Sequence, residues 1–296
     1  MNLRTAVPDD AGAVAALRKS VFPYLVMSEA QVRHLLTVVS PEEKFAAYVA
    51  EVGGELVGWA SAGLNTWTSD KGMSYLTVYV HPDHRGQGIG SALVDRGHAH
   101  LKDIDARRVR TFAEHDEVEF SRRRGYEGTR QMHYAGVDPR QLPEQPPNPS
   151  DVVLVGMDQV DARQAYEADS IATLDEPSDS PMDSIDYDDW LRVVWEAPAL
   201  SKALSVAAMV GDEVVSFTGV ETDGDRAWSA MTGTIPAHRG RGLAKLVKSV
   251  ALRRAAEAGV TGAFTSNDDE NEPMLAVNTW LGYRRVATKI GMLRTL

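Results

Sequence analysis

Two short segments of this chain combine the residue types that hold a phosphate. Arg85-Gly86-Gln87-Gly88-Ile89-Gly90 follows a β-rich run, Tyr75 to Val80, and leads into the apolar positions Ile89 and Leu93. Arg239-Gly240-Arg241-Gly242-Leu243-Ala244 stands in the same setting, ahead of Leu243, Val247 and Val250. A loop that leaves a strand and opens a helix presents unpaired N–H groups, and the helix dipole adds positive character at the same point. Glycines let that backbone approach a diphosphate closely, and an arginine adds a charge-assisted hydrogen bond. The dinucleotide spacing G-x-G-x-x-G and the Gly-Lys-Ser/Thr of a P-loop are both missing, so neither of those nucleotide motifs applies.

The elements that must position these loops repeat. Pro82 and Arg85 recur as Pro236 and Arg239 at an offset of 154, and Arg124-Gly125-Tyr126 recurs as Leu281-Gly282-Tyr283 at an offset of 157. Such self-similarity marks an internal duplication. Tyr48–Val52, Gly53-Gly54 and Glu55–Ala60 read as a β-hairpin, with Leu204–Val210, Gly211-Asp212 and Glu213–Val220 as its counterpart. Asp9 and Asp10 can cap a first helix, and the apolar positions after each loop fall at three- and four-residue spacing. Residues 138–150 hold five prolines in thirteen residues and are expected to link two domains, 1–137 and 151–296.

Bulk properties bound the chemistry. A chain of 296 residues with 43% hydrophobic and 25% charged residues suits two α/β domains with good cores. The absence of cysteine excludes disulfides, thiolate metal sites and a cysteine acyl-enzyme. A net charge of −11 opposes binding to nucleic acids or anionic membranes. With no long apolar window and no basic-then-apolar leader, a cytoplasmic location is expected. His98 and His100 do not share a helix face, and His81, His84 and His238 belong to the loops, so no metal is expected.

The two loops resemble the R/Q-x-x-G-x-G/A motif of GNAT acetyltransferases, and Val80-His81-Pro82 and Thr234-Ile235-Pro236 resemble the end of that family's central strand. The resemblance implies two tandem domains, each a mixed, twisted sheet with splayed central strands flanked by helices. It implies acetyl-CoA as donor, with CoA released as product, and an N-acetyltransferase that moves the acetyl group directly to a primary amine. Carried over to this chain, the cofactor-binding residues are Val78, Val80, Arg85, Gly86, Gln87, Gly88, Ile89, Gly90 and Ser91 in the first half. In the second they are Thr232, Thr234, Arg239, Gly240, Arg241, Gly242, Leu243, Ala244, Lys245 and Asn271. Both loops are expected to bind cofactor.

The family segment N-x-x-A-x-x-F-Y, whose tyrosine protonates the departing thiolate, is altered in both halves. The first half has Glu114 and Ser121 at the asparagine and tyrosine positions, and the second has Asn271 and Asn278. Because it keeps the asparagine, the second half is expected to be the catalytic one, with Asn278, Asp268 and Glu221 as candidate catalytic residues and Glu270 as a further candidate base. In tandem members with one catalytic domain, the position expected to carry a catalytic glutamate falls here on Trp228.

Between Arg163 and Arg192 nine acids occur without a basic residue, Asp175 and Glu176 among them. An acidic rim would attract a small cationic amine, whereas a solvated acidic loop would serve only solubility. Trp190 and Trp195, nearby, are expected in the core. A protein amine as acceptor and a non-catalytic acyl-CoA-binding protein stand as alternatives, and a monomer or homodimer is expected.

Overall fold

Twelve strands and eight helices account for most of the chain, and a computed structural model describes all of residues 1–296. Its contacts divide it into two units, Met1–Met132 with Thr288–Leu296, and His133–Ala287. No helix is long and apolar enough to cross a membrane.

In the first unit β1 (Asn2–Thr5), β2 (Ala46–Val52), β3 (Glu55–Leu64) and β4 (Met73–Val80) run antiparallel, and β5 (Arg108–Ala113) joins β4 in parallel. Gly53 and Gly54 turn β2 into β3 with φ of 62° and 88°, a left-handed pair that side-chain-bearing residues rarely adopt. The chain's last strand, β12 (Arg284–Thr295), lies antiparallel to β5 through Ile290–Thr295. The start of β6 (Glu127–Val137) lies next to it, where Thr129 donates to Gly291 O at 3.0 Å.

Side chains alternate across these strands. On one face Gly58 approaches Ile89 and Leu93 of α3 (Ile89–Asp103); on the other Trp59 and Ser61 meet Val14 and Arg18 of α1 (Ala11–Val21) around a cavity of about 240 Å³. Helices α2 (Glu29–Thr37) and α4 (Val118–Arg122) complete the unit. Asp10 precedes α1, but its carboxylate accepts from Val7 N–H and from Arg4 rather than from the helix. His98 is buried against the Tyr126 hydroxyl at 2.7 Å, and His100 contacts Lys44 O.

The second unit repeats the plan. Strands β7 (Val153–Gly156), β8 (Val206–Val210), β9 (Glu213–Asp223) and β10 (Arg226–Thr234) are antiparallel neighbours, and β11 (Gly262–Asp268) pairs with β10 in parallel. Its helices are α5 (Ala162–Thr173), α6 (Tyr187–Trp190), α7 (Leu243–Glu257) and α8 (Glu272–Trp280). Trp190 and Trp195 are core residues, as expected, with ring centroids 5.7 Å apart.

The Pro-rich segment 138–150 carries no helix or strand, yet it lies in the second unit: Leu142 packs on that unit's core and Arg253 donates to Pro143 O. The chain passes from one unit to the other within β6 and within β12, not at residues 137 and 151. The physical reason is that Thr288–Leu296 supplies a strand to the first unit's sheet. A strand contributed from the far end of a chain leaves no compositional mark beside residue 132.

Candidate active site

In both units the central parallel pair is short. β10 and β11 are in register only from Arg226 to Trp228 and Gly262 to Phe264, and β4 and β5 only from Met73 to Tyr75 and Arg108 to Arg110. Beyond those points the strands part. In β10 the parting coincides with a bulge: Ala230 and Met231 oppose the single residue Gly219 between the Ser229–Val220 and Thr232–Thr218 pairs. A bulge frees local backbone groups from the ladder and re-aims side chains. β4 has no such irregularity against β3.

The gap in the second unit opens into a cavity of about 850 Å³. Its lining divides by chemistry. Arg239, Gly240, Gly242, Ala244 and Lys245 form one end; Trp228, Met231, Met274 and Val277 supply apolar surface; Asp175, Glu176 and Glu270 contribute carboxylates. Thr232 and Thr234 also line it, with hydroxyls bonded to Thr218 and Ser216 at 2.7 and 2.9 Å. Asn271 lines it while its side chain caps α8 by accepting from Met274 N–H.

The loop before α7 is shaped by two left-handed glycines, Gly240 at φ 76° and Gly242 at φ 77°, the latter the N-cap of the helix. A Cβ at either position would meet no atom within 4 Å, so the concavity is open to a ligand. A helix N-terminus behind an open, glycine-lined loop fits a diphosphate. Arg239 spans this loop: its Nε donates to Thr234 O at 3.0 Å and its Nη1 to Asp175 Oδ2 at 2.5 Å. Arg241 pairs with Asp151 at 2.6 Å and is not among the lining residues.

Asn278 is buried beside this gap and its Oδ1 accepts from Lys248 Nζ at 2.7 Å, while its Nδ2 donates to Asn267 at 2.5 Å. Lys248 lines the cavity, is 1% exposed, and reaches Thr265 Oγ1 at 3.5 Å on the first residue of β11 beyond the paired stretch. Burial away from water disfavours its charged form and brings its pKa down to about 7. Sequence reasoning missed this lysine because a single Lys on a helix reads as a surface residue. The duplication holds the signal that could have found it: at the offset of 154, Lys248 corresponds to Val94, a core residue of the first unit.

Asp268 and Glu221 do not line the cavity. Asp268 is buried and accepts from Glu270 N–H at 2.9 Å, and Glu221 stands on β9 opposite Trp228. The acidic stretch also disperses. Asp175 and Glu176 reach the cavity, Asp186 caps α6, and Asp189 pairs with Arg192. Asp169 is buried and accepts from Trp190 Nε1 at 2.6 Å; burial lifts its pKa to about 6.

The first unit's loop has the same backbone, with Gly86 at φ 75° and Gly88 at φ 83°, but different surroundings. Arg85 faces Glu117 at 3.4 Å and Asp116 at 3.8 Å, and Ser91 accepts from Arg124 Nη2 at 2.6 Å. Arg124 also stacks over Phe120 at 3.5 Å, and a Cβ at Gly90 would touch Phe120 and Val80 at 3.6 and 3.7 Å. At the offset of 157 Phe120 corresponds to Val277, yet Gly86 and Gly88 are as open as Gly240 and Gly242, since a Cβ at either would meet no atom within 4 Å. Val78 and Ile89 pack in the first unit's core, and Gln87 is exposed.

Residues 14–126 match the family described as "Acetyltransferase (GNAT) family". The match thus falls on the first unit, whereas the large cavity belongs to the second. The chain is 26% identical over 226 residues to a mycothiol acetyltransferase of Nocardioides sp., covering 70% of this chain and 76% of that protein. It is 26% identical over 272 residues to a mycothiol acetyltransferase of Nocardiopsis dassonvillei, covering 82% and 80%. Among solved structures, a GCN5-related N-acetyltransferase from Sphaerobacter thermophilus superposes with a TM-score of 0.74 at 20% identity, over 99% of this chain and 95% of that one. A tandem GNAT protein from the clavulanic acid biosynthesis pathway superposes with a TM-score of 0.72 at 18% identity, over 99% and 98%. These two likenesses establish the fold, including its tandem character.

Proposed function

We propose that this chain, a tandem-unit acetyltransferase of the GNAT family, transfers the acetyl group of acetyl-CoA to the primary amine of a small, cationic metabolite in the second unit alone. The observation that carries this reading is the 850 Å³ cavity where β10 and β11 part, with an open glycine loop at one end and carboxylates elsewhere in its lining.

The roles follow from the lining. Backbone N–H groups at Gly240 and Gly242 and the dipole of α7 receive the diphosphate, assisted by Arg239 and Lys245. Thr232 and Thr234 border the path of the pantetheine arm. Backbone groups of the Ala230–Met231 bulge polarise the acetyl carbonyl, a fixed dipole that stabilises the oxyanion as the amine adds. Asp175, Glu176 and Glu270 raise the local concentration of a cationic acceptor. Acetyl-CoA itself supplies the activated acyl group.

Trp228, which lines the cavity, stands at the position expected to carry a catalytic glutamate in tandem members with one catalytic domain. An indole there offers apolar area and no base. In the first unit β4 lacks the bulge that β10 carries and Arg124 occupies the Ser91 hydroxyl, which argues against a second cofactor site. Calorimetry of acetyl-CoA binding, followed by an amine-panel assay for CoA release, tests the reading. One site per chain, weakened by Arg239→Ala and unaffected by Arg85→Ala, with amine-dependent release, is expected. Two sites would contradict the assignment to one unit, and no binding would end it.

A further inference from the structure

The duplication provides an internal control for every residue of the site. Val94 and Lys248 each stand six residues after the N-cap glycine of their helix, Gly88 and Gly242, and each is buried, at 5% and 1% exposure. An apolar side chain therefore suffices to complete this fold at that position. Placing a lysine there removes an ammonium group from water, which is costly without a paired charge. No carboxylate pairs with it: its partners are Asn278 Oδ1, Thr265 Oγ1 and the Tyr283 ring, whose centroid is 5.1 Å away. Lys245, one turn earlier, and Glu270 are the other charged groups of this part of the lining, and neither bonds to it.

The neighbours are chosen for a proton. Asn278 Oδ1 can only accept, so the contact at 2.7 Å orients Nζ as the donor, and Asn267 in turn fixes the amide by accepting from Nδ2. Asn278 stands at the position where the family pattern has its tyrosine, and it cannot give a proton itself. The group it holds can.

We propose that Lys248 is the proton donor to the CoA sulfur, held by Asn278 and Thr265 at the point where β10 and β11 part. This rests on the reading of the cavity as an acetyl-CoA site. The acceptor nitrogen's lone pair forms the C–N bond, the C–S bond breaks with its electron pair going to sulfur, and the Lys248 ammonium passes a proton to that thiolate. The acylated nitrogen then releases its surplus proton, which returns Lys248 to the ammonium form. A side chain whose burial brings its pKa close to neutrality is suited to both transfers.

The experiment needs no knowledge of the acceptor. An ammonium beside the sulfur lowers the pKa of bound CoA, so ultraviolet thiolate absorbance of the wild-type complex is expected to show a roughly tenfold higher thiolate fraction near pH 7 than free CoA. Lys248→Met is expected to abolish that excess while still binding acetyl-CoA. Lys248→Arg is expected to keep part of it, since guanidinium remains charged. If Lys248→Met does not fold, the wild type alone decides: its affinity for CoA relative to acetyl-CoA should rise with pH up to about 7, the range in which Lys248 holds its proton before the thiol arrives, and level off above it. CoA binding with ordinary thiol ionisation, or a flat affinity ratio, overturns the proposal and leaves the acetyl-CoA reading intact. Failure to bind CoA overturns both. Stable acetylation of Lys248 by acetyl-CoA would make it a nucleophile and overturn the proposal.

Discussion

Arg239 of the second glycine loop and Asp175, 64 residues earlier, meet at 2.5 Å across the mouth of the cavity. The arginine expected to hold a diphosphate is thus already engaged by a carboxylate. An anionic ligand must compete with Asp175 for that guanidinium and also faces its charge.

Asp175→Asn should therefore tighten acetyl-CoA binding. Both side chains are partly exposed, so the effect is bounded by what an exposed ion pair is worth, up to about 1 kcal/mol or roughly fivefold in affinity. Calorimetry at low and moderate salt checks it, and the gain should shrink as salt rises. The same change should raise KM for a cationic acceptor.

Gly242→Glu should abolish acetyl-CoA binding to the second unit, because it places a carboxylate in the open concavity of the loop. Its φ of 77° penalises most side chains, so Gly242→Asn serves as the control. Asparagine tolerates the left-handed region and should retain measurable binding. Loss of binding in both variants would point to loop distortion rather than charge.

Lys248 should leave a pH signature in stability. Its folded pKa of about 7 lies below the 10.5 of an exposed lysine, so between those values the unfolded chain holds a proton that the folded chain lacks. Stability from this residue therefore rises with pH through that window, by about 1.4 kcal/mol per pH unit, and its cost is full below about pH 7. Urea denaturation of wild type and Lys248→Met should show the variant's advantage largest at pH 7 and smallest near pH 10.

Asp169 predicts the opposite slope. Its folded pKa of about 6 lies above the ordinary 3.8, so stability falls as pH rises from about 4 to 6 and the cost persists above. Asp169→Asn keeps an acceptor for Trp190 Nε1 and removes the buried charge. It should stabilise the protein by about 3 kcal/mol at pH 7 and by little at pH 4, read from denaturant midpoints.

Much of the architecture was legible along the chain. Gly53-Gly54 and Gly211 announced the hairpins, and the spacing of Ile89, Leu93, Leu243 and Val247 announced the helices. The shared Pro, Arg and Gly positions announced the duplication and the acetyltransferase fold. These features are local: a left-handed turn or an amphipathic helix is specified within a few consecutive residues. The tertiary structure decided what depends on residues far apart. It placed Thr288–Leu296 in the first unit's sheet and gave β10 a bulge that β4 lacks. It also turned Lys248 inward onto Asn278, thirty residues on. Whether a gap between strands is filled or vacant depends on the volumes of side chains from separate segments, and whether a lysine is solvated or buried depends on what packs above it. Neither is a property of any window of sequence.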